Sequence, residues 1–203
     1  MNINKGLNYL IKVDKRFSLI IDQFGRPKFL FIENFFESLV RSIIYQQLSG
    51  KAALTIHDRF QKLFNLSKYP DPKNILNMSL NDLQSVGLSK QKTVYIKDLS
   101  EKILSKEVDF SNYKNYSDEE ISSELIKVKG IGQWTIDMFL MFTLARPDIF
   151  PVKDLGIQKG FIKLNQITHK PSHKEMISES LHWSPYRSIA TWYLWKIADE
   201  SKK

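Results

Sequence analysis

Leu125-Ile-Lys-Val-Lys-Gly130-Ile-Gly132-Gln-Trp134-Thr135 is the stretch on which the reading of this chain turns. Just upstream, Ser117-Asp-Glu-Glu120 is a capping box, which predicts a helix from Asp118 to about Lys127. Gly130 and Gly132 make a turn, and the apolar run from about Gln133 to Ala145 predicts a second helix, ended by Arg146-Pro147. Two helices joined by Gly-Ile-Gly present consecutive backbone N–H groups to one anion. Glycine permits positive φ and close approach, and the second helix adds the positive end of its dipole. A phosphate suits such a turn. Lys129, Gly130, Ile131, Gly132 and Thr135 are the residues expected to hold it, with Lys127 adding charge. Gly-x-Gly alone also fits an ordinary helical hairpin; two apolar residues, Lys129, the glycine turn and a following polar residue are together more specific.

Outward from this hairpin, apolar residues recur at helical spacing, and the expected class is all-α. Phe36, Leu39, Val40, Ile43 and Ile44 form one stripe. Ala52, Ala53, Ile56, Phe60 and Leu63 form the next, opened by Ser49 as N-cap. Tyr69-Pro-Asp-Pro72 breaks the chain, and short helices are expected over Lys73–Asn77, Leu80–Val86 and Lys90–Leu104. Further helices should follow Asp154 and span about Tyr186 to Glu200, whereas Phe17–Phe31, with its Gly25-Arg-Pro27 turn, is expected to be irregular.

The 203 residues carry 30 Lys and Arg against 22 Asp and Glu, a net charge of +8 that favours a polyanionic partner, nucleic acid first. With no cysteine, disulfides, zinc-thiolate sites and a cysteine-held iron–sulfur cluster are excluded. No apolar run approaches membrane-spanning length, so a membrane partner is not expected. The first residues do not form a signal peptide. The expected compartment is the cytoplasm, at the nucleoid, in a prokaryote and the nucleus in a eukaryote.

After the hairpin comes Pro151-Val-Lys-Asp154-Leu-Gly156. Asp154 is a helix N-cap by position, and also a carboxylate delivered close after an anion-binding turn. The roles are compatible, since a helix N-terminus favours negative charge. Asp148, in an exposed-looking turn, and Asp137, on the polar side of its helix, are weaker candidates. His169 and His173 have HxxxH spacing, but Pro171 intervenes and no carboxylate partner is evident, so both read as surface residues.

In four motifs, in order, the chain resembles the helix-hairpin-helix DNA glycosylases with a Gly/Pro-rich loop and an aspartate (HhH-GPD), most of all the 3-methyladenine DNA glycosylase II, or alkylpurine, branch. The motifs are Arg41-Ser-Ile-Ile-Tyr-Gln46-Gln47-Leu-Ser49, the hairpin from Lys129 to Thr135, Pro151-Val-Lys-Asp154-Leu-Gly156, and Trp183-Ser-Pro185-Tyr-Arg187-Ser-Ile-Ala190 with Trp195. The resemblance runs from about Asn34 to the C-terminus and implies a minimal member without the β-rich domain that some relatives carry. It implies a two-lobed helical fold with a DNA cleft between the lobes. One lobe is 1–36 with 151–203; the other is 37–150, carrying the helix-hairpin-helix at about 118–145.

The implied reaction is hydrolysis of the N-glycosidic bond of alkylated purines in damaged double-stranded DNA, during base excision repair. Cleavage develops positive charge on the sugar, which a carboxylate stabilises, and the resemblance gives that role to Asp154. The base must leave the stack. Trp134, Trp195, Tyr45 and Leu155 are expected around it. Met138, one helical turn from Trp134, fits either pocket or core, and the branch often carries an aromatic there. Gln47 matches the residue inserted into the vacated stack, and Gln46 is expected to bond to backbone across the fold. Trp134 stands where strand-nicking relatives carry a nucleophilic lysine, so a monofunctional enzyme is expected. The carbonyls of Ile126, Val128 and Ile131 resemble a structural Na⁺ or K⁺ site; no cofactor is expected in the chemistry. The expected state is a monomer. Two alternatives stay open: another lesion, such as uracil, hypoxanthine or an oxidised purine, and a non-catalytic DNA-binding hairpin module.

Overall fold

The computed structural model describes residues 1–29, 31–65 and 67–200, and every regular element among them is helical. In chain order these are α1 (Ile3–Val13), α2 (Arg16–Phe24), α3 (Phe35–Tyr45), α4 (Gly50–Leu63), α5 (Pro72–Asn77), α6 (Leu80–Ser85), α7 (Lys90–Leu104), α8 (Asp118–Leu125), α9 (Gln133–Phe142), α10 (Leu155–Asn165), α11 (His173–Ser180) and α12 (Arg187–Asp199). Short 3₁₀ turns lie at Phe110–Asn112 and Leu181–Trp183. The chain divides into a central unit, Ile32–Phe139, and a terminal unit, Met1–Phe31 with Leu140–Lys203.

In the central unit, polar caps start the helices. Asn34, Ser49, Asp71, Ser79, Ser89 and Ser117 each accept a hydrogen bond from the N–H three residues on, a device that contributes about 1 kcal/mol each time. The Ser117–Glu120 box is reciprocal, so α8 begins at Asp118 as its spacing predicts. Helices α3, α5 and α6 pack on α7. From α7, Lys92 Nζ donates to the carbonyls of Ile44 and Gln46 at 2.7 and 2.6 Å, and Lys97 Nζ to those of Leu76 and Met78 at 3.1 and 2.7 Å. Each ammonium therefore meets carbonyls that a helix end leaves without partners, at the negative pole of that helix. Burial holds the Lys92 pKa below the ordinary lysine value.

The face that α4 buries is turned from the expected stripe. Ala53 and Phe60 are buried, but Ala52 is exposed, Ile56 and Leu63 are half-buried, and His57 takes the interior position. The His57 ring stacks on Tyr69 and meets the edge of Tyr45. Burial first, and the Arg41 charge second, hold its pKa below the usual histidine value. A neutral imidazole between tyrosines costs little to bury, which explains its place in an apolar face.

In the terminal unit, Leu7 and Leu10 of α1, Phe17 and Ile20 of α2, Ile157 and Phe161 of α10, and Ile189, Tyr193 and Leu194 of α12 share one core with Trp183. Residues 17–24 are helical, against expectation. Phe17 and Ile20 fall on one face, and Phe17 meets Trp183 and Tyr193 edge-on. Irregular chain begins at Gly25, with φ 71°, where Tyr193 Oη donates to the Gly25 carbonyl at 2.8 Å. Helices α10 and α12 pack closely: a Cβ on Gly160 would run into the backbone carbonyl of Leu194.

Residues 140–150 belong to the terminal unit rather than to the central lobe expected for 37–150, and 32–36 lie in the central unit. Backbone contacts with α12 explain the first shift. Ser188 N–H donates to Pro147 O at 3.0 Å, and Ile149 N–H donates to Ser188 Oγ at 2.9 Å. Helix α9 also ends at Phe142 and not near Ala145. Ala145 is left-handed, φ 51°, and the following Arg146 N–H turns back to Leu140 O at 2.9 Å.

Candidate active site

Asp154 caps α10 with extended backbone, and its Oδ1 accepts the Ile157 N–H at 2.9 Å. The same oxygen accepts the indole N–H of Trp195, also at 2.9 Å. Being an N-cap thus does not remove Asp154 from a site; it fixes one carboxylate oxygen and leaves α12 to supply the second donor. Gly156 makes room for this. A Cβ there would lie 2.8 Å from Trp195 Cδ1 and 3.1 Å from Asp154 Oδ1. The Trp195 ring stacks on Phe142 with centroids 5.9 Å apart, and Phe142 stacks on Phe29 at 5.6 Å. Trp195 is half-buried, while Leu155 is 76% exposed beside the carboxylate. Asp154, Leu155 and Trp195 are therefore brought together in the terminal unit.

Asp148 is not in the loose turn expected of it. Arg187 holds both its oxygens, from Nε and Nη2 at 2.8 Å each, and Ser184 Oγ donates to Oδ2 at 2.8 Å. Burial works to raise its pKa, but the hydrogen bonds from Arg187 and Ser184 and the guanidinium charge outweigh it, so the carboxyl titrates below its usual range. His169 has a carboxylate partner after all, Glu175 at 3.1 Å, because the Ser172 capping box of α11 brings Glu175 back toward the loop. His169 is exposed and Glu175 partly so, consistent with a surface role. Among the described residues, no three His, Asp or Glu side chains are grouped to hold a metal ion.

In the central unit, Gly130 has φ 80°, and a Cβ on it would run into the Tyr95 ring of α7. The Lys129 N–H donates to buried Asp98 at 2.9 Å, and Lys129 Nζ pairs with the same carboxylate at 3.2 Å. The Ile131 N–H returns to Val128 O at 3.1 Å. Ile131 and Thr135 are buried, at 3% and 4% exposure. The expected anion grip, from Lys129 to Thr135, is therefore open to solvent in part only. Its open part is Gly132, around which a Cβ would meet nothing, and the first turn of α9, whose N–H groups have no intrahelical acceptors.

Trp134 is 50% exposed and Met138, one turn along α9, is half-buried. Tyr45 is half-buried beneath the Arg41 guanidinium at 5.1 Å. Asp137 accepts a hydrogen bond from Gln133 at 2.8 Å, a polar-face role as its spacing predicts. Gln47 is exposed, with φ 56°, just past the end of α3. Gln46 donates to Gly130 O at 2.9 Å, the backbone bond across the fold that was expected. Missed by reading the sequence were Gly156, Phe142, Lys92, Tyr95 and Asp98. Of these, Asp98 had a signal: an acidic residue between the apolar positions Ile96 and Leu99.

A family model described as "HhH-GPD superfamily base excision DNA repair protein" matches residues 40–185. The Bacillus subtilis protein YfjP, provisionally named a DNA-3-methyladenine glycosylase, is 36% identical over 166 residues, covering 79% of this chain and 58% of the relative. This chain thus spans less than two thirds of that relative's length. DNA-3-methyladenine glycosylase 1 of Schizosaccharomyces pombe is 34% identical over 171 residues, 82% of this chain and 75% of that protein. The solved structure of a Schizosaccharomyces pombe 3-methyladenine DNA glycosylase in complex with abasic DNA superposes with a TM-score of 0.83 at 30% identity, covering 98% of this chain and 97% of the other.

Proposed function

We infer the reaction from one premise: the chain belongs to the HhH-GPD superfamily of base excision DNA repair proteins. It is a DNA glycosylase that hydrolyses the N-glycosidic bond of alkylated purines of the 3-methyladenine type in double-stranded DNA. The observation that carries this reading is the mounting of Asp154, whose Oδ1 is held by two N–H donors from α10 and α12. A binding module has no use for a carboxylate fixed in this way, since a negative charge repels phosphate.

An alkylated purine is cationic and already a good leaving group. The bond from C1′ to the ring nitrogen breaks with both electrons going to the base. Asp154 stabilises the oxocarbenium-like sugar from a position that needs no rearrangement, and water adds to C1′. The water proton passes to solvent, and the products are the free base and an abasic sugar. Gly132 and the first turn of α9 hold a backbone phosphate, which positions the protein without reading sequence. The family resemblance assigns the extruded base to Trp195 and Leu155 of the terminal unit and to Trp134, Tyr45 and Met138 of the central unit, each taken by itself, and assigns Gln47 to the gap the base leaves. Trp134 supplies no amine at the hairpin, so no Schiff base forms and the strand is not nicked.

The hairpin carbonyls of Ile126, Val128 and Ile131 suit a monovalent cation, being neutral oxygen donors. The Val128 carbonyl already accepts one N–H, which leaves it a second lone pair. A bound Na⁺ or K⁺ would brace the turn and take no part in bond cleavage.

The test is release of methylated base from alkylated duplex DNA by wild type and Asp154→Asn. Wild type should release 3-methyladenine and the variant should lose at least about 100-fold in rate. Equal release by both removes Asp154 from the mechanism. Tight binding with no release by wild type, across a lesion panel, defeats the enzyme reading. A covalent adduct trapped by borohydride defeats the monofunctional one.

A further inference from the structure

The chain leaves α3 in an awkward way. Gln46 is extended, with φ −53° and ψ 130°, and Gln47 is left-handed at φ 56°. A non-glycine residue there is strained and persists only where its surroundings over-determine it. Local backbone bonds do not do so: Gln46 N–H to Ile43 O and Leu48 N–H to Tyr45 O are both long, at 3.4 Å. The short bonds come from elsewhere. Lys92 Nζ reaches the carbonyls of Ile44 and Gln46 at 2.7 and 2.6 Å, and the Gln46 amide reaches Gly130 O at 2.9 Å. Glycine would adopt φ 56° without strain, so the side chain of Gln47 is what the strain preserves.

The hairpin is tied to the same strut. Tyr95 lies under Gly130, and Asp98 takes the Lys129 N–H at 2.9 Å. Lys92, Tyr95 and Asp98 recur at three-residue intervals, which puts them along one face of α7.

We propose that Gln46 and Lys92 are positioning residues that aim Gln47, and that they join the wedge and the phosphate-binding hairpin into one preset element. The proposal rests on the reading of Gln47 as the residue inserted into DNA. Its consequence is mechanical. A hairpin seated on a phosphate fixes where Gly130 O lies; Gln46 transmits that position to the turn, and Gln47 enters the duplex at a set height. Lys92 holds the far side of the turn, so the push does not unravel α3.

Base extrusion is read directly by 2-aminopurine emission beside a lesion analogue whose glycosidic bond does not break. Gln46→Leu and Lys92→Met should bind undamaged duplex within about twofold of wild type, since phosphate contacts remain. Both should lose most of the emission rise. On a cleavable lesion their single-turnover rate should fall by roughly 10- to 100-fold. Gln47→Ala should show the same pattern, and Gln46→Leu with Gln47→Ala should be no worse than Gln47→Ala alone, because the link has nothing left to aim. A full emission rise in Gln46→Leu, or losses that multiply in the double variant, overturns the proposal. Melting curves identify a variant that fails to fold. If Lys92→Met is such a case, Gln46→Leu, which truncates a half-buried amide and no ion, decides alone. The emission assay does not need bond cleavage, so a wild type that extrudes the base but releases none overturns the enzyme reading and leaves the link tested. An unaltered Gln47→Ala overturns the wedge reading and this proposal with it.

Discussion

Replacing Gly156 by alanine probes how the Asp154 carboxylate is mounted. The added Cβ lies 2.8 Å from Trp195 Cδ1, 3.2 Å from its Nε1 and 3.1 Å from Asp154 Oδ1. Carbon atoms settle about 3.5–4.0 Å apart, so the indole must retreat by roughly 1 Å. Its stack on Phe142 resists that movement and does not prevent it. The 2.9 Å bond from Trp195 to Asp154 then stretches past hydrogen-bonding distance. A bond to a charged group contributes about 1.5–3 kcal/mol, and a 1 Å misplacement at a reacting centre costs roughly 100-fold in rate. The effect on folding has the opposite sign locally, since alanine in a helix is favoured over glycine by about 0.5–1 kcal/mol. The expected variant therefore folds, melts within a few degrees of wild type and binds undamaged duplex normally. Its single-turnover rate of base release, followed by chromatography of the freed purine, should fall about 10- to 100-fold. Trp195→Phe should reproduce the loss without any steric clash, and the double variant should add little. Wild-type release by a folded Gly156→Ala, or by Trp195→Phe, refutes the idea that the indole N–H matters.

Three further substitutions test the scaffold. Gly130→Ala forces a side chain into a left-handed residue above Tyr95 and should destabilise the protein by about 1–3 kcal/mol in urea unfolding; an unchanged midpoint would contradict the turn described. Gly160→Ala places a methyl against the Leu194 carbonyl, and because backbone gives way less easily than a side chain, a loss of about 3 kcal/mol or more is expected by the same measurement. Asp148→Asn leaves Arg187 poorly paired and should cost about 1–3 kcal/mol at pH 7. The Asp148 pKa is depressed in the folded state, so its contribution is complete above the unfolded value near 3.9 and disappears as pH falls through the folded value. Stability curves of wild type and Asp148→Asn should therefore converge below about pH 4; a constant gap in acid refutes the ion pair as its source.

Local signals carried much of this architecture. A polar residue followed by a helical stripe marked the starts of α4, α6, α7, α8 and α10, because an N-cap acts over three residues and is written in the chain at that spacing. Helix ends were less legible. The left-handed Ala145 that closes α9 has no glycine to announce it, and α2 was obscured by the Gly25-Arg-Pro27 turn, although Phe17 and Ile20 stood at helical spacing. The inward turn of His57 in α4 had no local signal, because its ring partners, Tyr45 and Tyr69, lie in other segments. The same holds for the site. Asp154 announced itself by position, but the donor that shares its oxygen is Trp195, and the packing of α10 on α12 alone brings them together. Lys129 was read as a phosphate ligand because its charge is visible in sequence and Asp98, which takes part of that charge, acts from thirty-one residues away.

The N–H groups of Ile157 and Trp195 both donate to Asp154 Oδ1. A carboxylate has two oxygens that are identical in isolation, and a half-turn about Cβ–Cγ exchanges them. Two N–H donors on Oδ1 resist that half-turn and set the plane of the carboxylate. The sugar cation that develops next to it is flat at C1′, and its ring substituents already make its two faces unlike. A carboxylate whose plane is set meets that cation in one orientation. Loss of the Trp195 N–H should therefore free that rotation as well as slow the reaction.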